Sequence, residues 1–161
     1  MRGELSRARK NRVIWPSVVM LGLLICLWGN EARAQDVNAA MQSFVQAMKS
    51  KNVSGILASF SQMTPWKYQP YEIGTGKALK TAVVTPKQML SDFGKKRGWH
   101  DFFLAEPNGY TFRLNFMENK PWKKRGADTF VAPDSESGKT FVTWRLEGQK
   151  WVIAAIGETT P

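Results

Sequence analysis

A single α+β domain is the fold class that the sequence predicts, and three stretches predict it. In "DVNAAMQSFVQAMKSKN", residues Val37, Met41, Phe44, Val45 and Met48 recur at helical spacing and mark one apolar stripe. "TPKQMLSDFGKKRG" opens with Thr85 as N-cap, Pro86 at the first helical position and Gln88 completing a capping box, the chemistry of a helix start. The closing "TWRLEGQKWVIAAIGE" alternates apolar and polar residues about Glu147-Gly148, as a hairpin does. Helices early and strands late imply helices segregated from an antiparallel sheet.

Before these elements stands a segment with the features of an export signal. Arg2, Arg7, Arg9, Lys10 and Arg12 precede the uncharged run Val13 to Trp28, and Ala32-Arg33-Ala34 offers a small-x-small cleavage site. Cleavage after Ala34 is expected, giving a signal peptide over 1-34 and one domain over 35-161. The alternative is an N-terminal membrane anchor, although the run falls short of the roughly 20 residues that span a bilayer comfortably. Periplasmic or secreted location follows, with membrane association only through an uncleaved signal segment. The lone Cys26 follows Ile25, where a lipoprotein signal needs a small residue.

The full chain of 161 residues carries a net charge of +10, but removing 1-34 leaves seventeen Lys and Arg against eleven Asp and Glu. Much of the basic character therefore belongs to targeting. No cysteine lies after residue 34, which excludes disulfides and thiol catalysis there, and a single histidine excludes a zinc site of the Cys/His kind. No cofactor or metal is implied. Five tryptophans in that part, Trp66, Trp99, Trp122, Trp144 and Trp151, exceed what a plain small core requires.

The remaining elements follow in order. "SGILASFSQM" reads as a short helix capped by Ser54, with Ile56, Leu57 and Phe60 inward, ended by Thr64-Pro65. "WKYQPYEIGTGKALKTAVVT" reads as a strand or ragged hairpin, and Pro70 places it at an edge, since proline cannot donate to a ladder. The third helix turns Met89, Leu90 and Phe93 inward. "YTFRLNFM" alternates Tyr110, Phe112, Leu114 and Phe116 with Thr111, Arg113 and Asn115, the pattern of a half-buried strand. A basic loop, "NKPWKKRGAD", a short strand around Thr129 to Ala132 and a turn at "PDSESG" lead to the last two strands, Lys139 to Leu146 and Lys150 to Gly157. On these strands Val142, Trp144 and Leu146 share a face, as do Trp151 and Ile153, so the indoles roof a core that the helices supply.

The helix "FVQAMKSKNVSGILASFSQ", the Thr85-Pro86 helix and the closing "VTWRLEGQKWVIAAIG" together resemble the nuclear transport factor 2-like superfamily, with its polyketide cyclase-like and ketosteroid isomerase-like members. The resemblance covers roughly Asp36 to Gly157. It implies a cone, a strongly bent antiparallel sheet wrapped around about three helices with a pocket at its open end. It also implies a frequent homodimer through the sheet face. Where the middle stretch departs from a typical first strand, a plain α+β sheet with helices on one face is the competing expectation.

Candidate sites are of three kinds. Enzymes of the resembled group place an acid or base in the pocket, commonly an aspartate and sometimes a histidine, which points to Asp101 and to His100, the one side chain that titrates near neutral pH. Asp92 and Glu118 are further carboxylates that an apolar cone would make more basic. Trp66, Tyr68, Tyr71, Trp99, Phe102 and Phe103, with Trp144 and Trp151, are the expected lining of a pocket for a flat or apolar ligand, or ordinary core. Lys120, Lys123, Lys124 and Arg125 around Trp122 mix basic and aromatic residues as anion binders do; export makes an acidic polymer or phospholipid head group the fitting partner and excludes nucleic acid. Asn52-Val53-Ser54 matches an N-glycosylation acceptor.

Without a paired acid and base, the sequence favours an exported domain that binds a small apolar or aromatic ligand, or a protein, without catalysis. An isomerase, dehydratase or cyclase using Asp101 or His100 is the alternative, and a dimeric interaction module the third reading. The N-terminal reading is checked by intact mass of the exported protein, which is expected to begin at Gln35; a chain retaining Met1 to Ala34 would establish an anchor instead.

Overall fold

The computed structural model describes residues 37-107, 111-118, 120-133 and 138-160, and its elements are those of an α+β domain. Helix α1 runs over 37-49, and α2, Val53–Ala58, follows after one turn. Strand β1, Trp66–Glu72, and β2, Ala82–Val84, precede α3, Pro86–Gly94, α4, Trp99–Leu104, and α5, Leu114–Met117. The chain ends in β3, Lys123–Arg125, β4, Thr129–Val131, β5, Phe141–Glu147, and β6, Lys150–Thr160. Six strands form one open sheet in the order β2-β1-β6-β5-β4-β3, antiparallel except where β1 lies parallel to β6. The expected signal segment and cleavage site lie outside the described residues. No helix among the described residues is long and apolar enough to cross a membrane.

Helix α1 turns Val37, Met41, Phe44, Ala47 and Met48 into the core, one stripe at the expected spacing. Val45 sits only half-buried at its margin. The cap of α2 is Asn52 rather than Ser54: its side chain accepts from the Gly55 N–H at 3.1 Å, and the Ser54 hydroxyl donates to that side chain. Helix α3 begins as its sequence dictates, with the Gln88 N–H donating to Thr85 Oγ1 at 3.2 Å. Met89 and Phe93 are buried, whereas Leu90 faces out.

Two readings of the middle are corrected. Residues 114-117 are helical, not a strand, because Phe112 and Phe116 are four apart and satisfy either period, and Arg113 between them is buried instead of solvated. Its guanidinium donates from Nε to Met48 O at 3.4 Å and from Nη1 to Ala105 O at 3.2 Å. It thereby caps carbonyls at the C-terminal ends of α1 and α4, sharing Met48 O with the Lys51 N–H. The basic "KKR" is likewise an edge strand, paired with β4, and not a loop.

Strand β1 is internal despite Pro70. The partner β2 covers Trp66 to Tyr68, and beyond it the neighbouring segment is held by the Leu79 N–H donating to Pro70 O, by the Glu72 N–H donating to Lys77 O, and by the Gln69 side chain, which donates from Nε2 to Leu79 O at 2.8 Å and accepts from Thr81 Oγ1. A proline is tolerated because the ladder is already interrupted there. Both sheet edges, β2 and β3, are three residues long, and three cationic side chains on β3 discourage pairing with another strand.

The terminal hairpin turns at Gly148, whose φ of +60° suits a residue without Cβ. Between Trp144 and Thr143 the register slips, so that Trp144 pairs with Ile153 but Thr143 with Ala155. This bulge at Ala154 lets Ile153 and Ile156, an odd number of residues apart, both enter the core. Trp144 meets Phe44 edge-on at 6.1 Å and is buried as expected; Trp151 is half-buried, and Leu146 is exposed. Arg113→Ala is expected to cost about 3 kcal/mol in urea denaturation, since buried carbonyls lose a donor and a cavity opens. Arg113→Lys should not restore it, because one ammonium cannot bridge both carbonyls.

Candidate functional site

A cleft of about 660 Å³ opens between α1 and the segment from α5 through β4. That is the size of small-ligand sites, which run from about 300 to 1,000 Å³. Helix α1 supplies Asn38, Met41, Gln42, Val45, Gln46 and Lys49, which fall at i, i+3, i+4, i+7, i+8 and i+11 and so form one stripe beside the core-facing one. The opposite wall is Phe116, Trp122 and Phe130, with Glu118, Lys120 and Lys124. Trp122 is fixed by Phe116, whose ring lies 4.7 Å away at 30°, and by Phe112 at 6.3 Å.

Strand alternation divides the basic cluster. Lys124 pairs with Phe130 across β3 and β4, so both side chains emerge on the core side and reach the cleft. Lys123 and Arg125 point the other way, and Arg125 lines a separate opening of about 350 Å³ with Thr129, Val131 and Thr143. Lys120 lies in the cleft wall, 3.9 Å from Glu118.

The expected aromatic lining is for the most part assembled as packed rings. Trp66 and Phe103 are fully buried; Trp99 meets Trp66 at 4.8 Å and Tyr68 at 5.3 Å, and Phe102 meets Tyr68 at 5.3 Å. Tyr71 is not in this group: three residues from Tyr68, it lies on the opposite sheet face against Phe141 and under the Lys139 ammonium. Trp144 and Trp151 wall a further opening of about 410 Å³, together with Ala40, Ser43, Gly55 and Ser59.

His100 and Asp101 fall in the first turn of α4, where the His100 Nδ1 lies 2.9 Å from Asp101 Oδ1. The imidazole packs on Phe93 at 5.7 Å, the carboxylate is exposed, and neither residue lines any of the three openings. Asp92 faces the start of α4, accepting from the Trp99 N–H at 3.4 Å, a position that suits an anion at a helix N-terminus. No group of three His, Cys, Asp or Glu that could hold a metal occurs among the described residues.

The sequence reading ended its last strand at Gly157 and so overlooked Glu158. This side chain is 7% exposed on the core face of β6, where its carboxylate accepts from Tyr68 Oη at 2.8 Å and from the Phe112 backbone. Burial pushes its carboxyl up to about 6, against the lowering effect of those two bonds. The same burial, with Glu158 beside it, raises the Tyr68 phenol far above its usual range. The only signal in the sequence was the one acidic residue within an otherwise uncharged strand end, "AAIGETT".

Compared with known proteins, the chain matches no family model, no curated protein and no solved structure.

Because the folded carboxyl of Glu158 titrates near 6 and an unfolded one near 4.5, the folded state binds the proton more tightly. The resulting stability is full below about pH 4.5 and is lost as pH rises through about 6. Relative to Glu158→Gln, the wild type is expected to lose about 2 kcal/mol between pH 4 and pH 7, at 1.36 kcal/mol per pKa unit. Paired denaturation curves across that range measure it; parallel pH profiles would place this carboxyl in water.

Proposed function

We propose that this chain is an exported binding domain that takes a small apolar or aromatic ligand in the cleft between α1 and the α5–β4 segment, without catalysis. One observation carries the reading: half-buried Trp122, tilted against buried Phe116 in one wall of the cleft, stands across from half-buried Val45 beside buried Met41 in the other. Apolar surface left open on a domain that otherwise packs its rings tightly is what a ligand would cover. Amide side chains at Asn38, Gln42 and Gln46 provide few, spaced polar contacts of the kind that orient a ligand.

The nuclear transport factor 2-like reading is retained as part of this proposal. What supports it is the element order, with α1 and α2 ahead of the sheet and a bulged strand pair at the end, a bulge being one way in which a strand bends. Export rests on the N-terminal sequence. Acid/base catalysis by His100 or Asp101 has less support, since these groups pair with each other away from the three openings.

Native mass spectrometry of the protein purified from its own host tests the proposal. A retained small molecule is expected, and Trp122→Ala is expected to lose it while the protein stays folded by circular dichroism. Retention by the variant, or a bare chain under gentle conditions, would overturn the reading.

A further inference from the structure

The charges around this cleft are unequal, and the inequality identifies its ligand more closely. Three ammonium groups, on Lys49, Lys120 and Lys124, face a single carboxylate, Glu118. Glu118 stands 3.9 Å from Lys120. Lys49 and Lys124 have no ion-pair partner among the described residues. These two lysines approach from different elements, one from the last turn of α1 and the other from the edge strand β3. Cationic groups set on one opening from two walls attract an anion and bind it with a contribution that falls as salt rises.

The shape of the cleft adds a second constraint. Its α1 wall extends from Asn38 to Lys49, eleven residues or about 16 Å at 1.5 Å per residue. Lys49 marks one end of that wall, and half-buried Val45 lies between the ends, opposite half-buried Trp122, with Met41 and Phe116 buried beneath them. A compact anion such as free phosphate would leave this apolar length uncovered. A neutral apolar molecule would leave Lys49 and Lys124 unmatched.

We infer that the cleft binds an elongated anionic amphiphile, an acyl or aryl chain ending in a carboxylate or phosphate, with the chain along Trp122 and the acid group between Lys49 and Lys124. This rests on the binding reading above and specifies its ligand class. The chain portion provides the apolar burial, and the acid group fixes polarity along the cleft.

The test uses N-phenyl-1-naphthylamine, a neutral dye that fluoresces when it enters an apolar site, displaced by laurate or by dodecanol, which share a twelve-carbon chain and differ in charge. On protein purified from its host, laurate is expected to displace the dye at a concentration at least tenfold lower than dodecanol. Adding 0.5 M NaCl should shrink that advantage. The double variant Lys49→Gln/Lys124→Gln, with each displacement corrected for the variant's own dye affinity, should bring it below threefold. Gln42→Trp, which adds a large ring from the exposed side of α1 without disturbing the core, should abolish dye binding.

If laurate and dodecanol displace equally well, or the double variant keeps the preference, the anion selectivity is overturned while the cleft remains a binding site. Inorganic phosphate displacing the dye as well as laurate does would overturn the amphiphile in favour of a simple anion site. Dye binding that Gln42→Trp leaves intact would place the dye elsewhere and overturn the cleft itself.

Discussion

The packing of Phe44 is the contact on which the rest of this domain depends. Its ring, fully buried on α1, meets Phe60 after α2, Phe103 on α4, Phe116 on α5 and Trp144 on β5, all within 6.4 Å and all near perpendicular. Edge-to-face geometry sets the positive rim of one ring against the negative face of the next. One side chain thus ties three short helical segments to the sheet strand β5. Helices of four to six residues are not stable alone, and α2, α4 and α5 have that length. Removing a buried ring of this kind costs about 3–5 kcal/mol in protein cores, a large part of a small domain's net stability.

The cleft follows from that arrangement. Because α5 is anchored through Phe116 to Phe44, the chain after it must turn outward before pairing as β3, and Trp122 is carried against the outer side of Phe116. Phe116 is thus buried between Phe44 and Trp122, and it is Trp122 that presents apolar surface to the cleft. Helix α1 contributes to both core and cleft, with two adjacent stripes serving different purposes. Met41 belongs to both stripes, buried at its root and lining the opening.

Two buried ionisable groups contrast in how they are compensated. Arg113 is surrounded by backbone carbonyls and a methionine sulfur, so its charge completes helix ends and costs little to bury. Glu158 has only a phenol and one backbone bond, not enough to offset its desolvation, and its affinity for a proton rises in consequence. The first ties α1 to α4; the second ties β1 to β6 beneath Trp99 and Phe102.

Local chemistry in the sequence was sufficient for the α+β class, for the start of α3 at Thr85-Pro86 and for the final hairpin, because caps, prolines and strict alternation act over a few residues. It also grouped Lys120, Lys124 and Trp122 in one segment, and the fold sets all three in the cleft wall. What only the tertiary structure decided is which period "TFRLNFM" obeys, where Arg113 goes, and which lysines share a face. Phe112 and Phe116 fit a strand or a helix equally well, and their choice is made by Phe44 and Trp122, which are distant in sequence. Glu158 is the same case: one acidic residue at a strand end carries no local mark of burial, and only the parallel pairing of β6 with β1 sets it against Tyr68. Local interactions fix an element, whereas burial and charge depend on neighbours that the chain brings together only on folding.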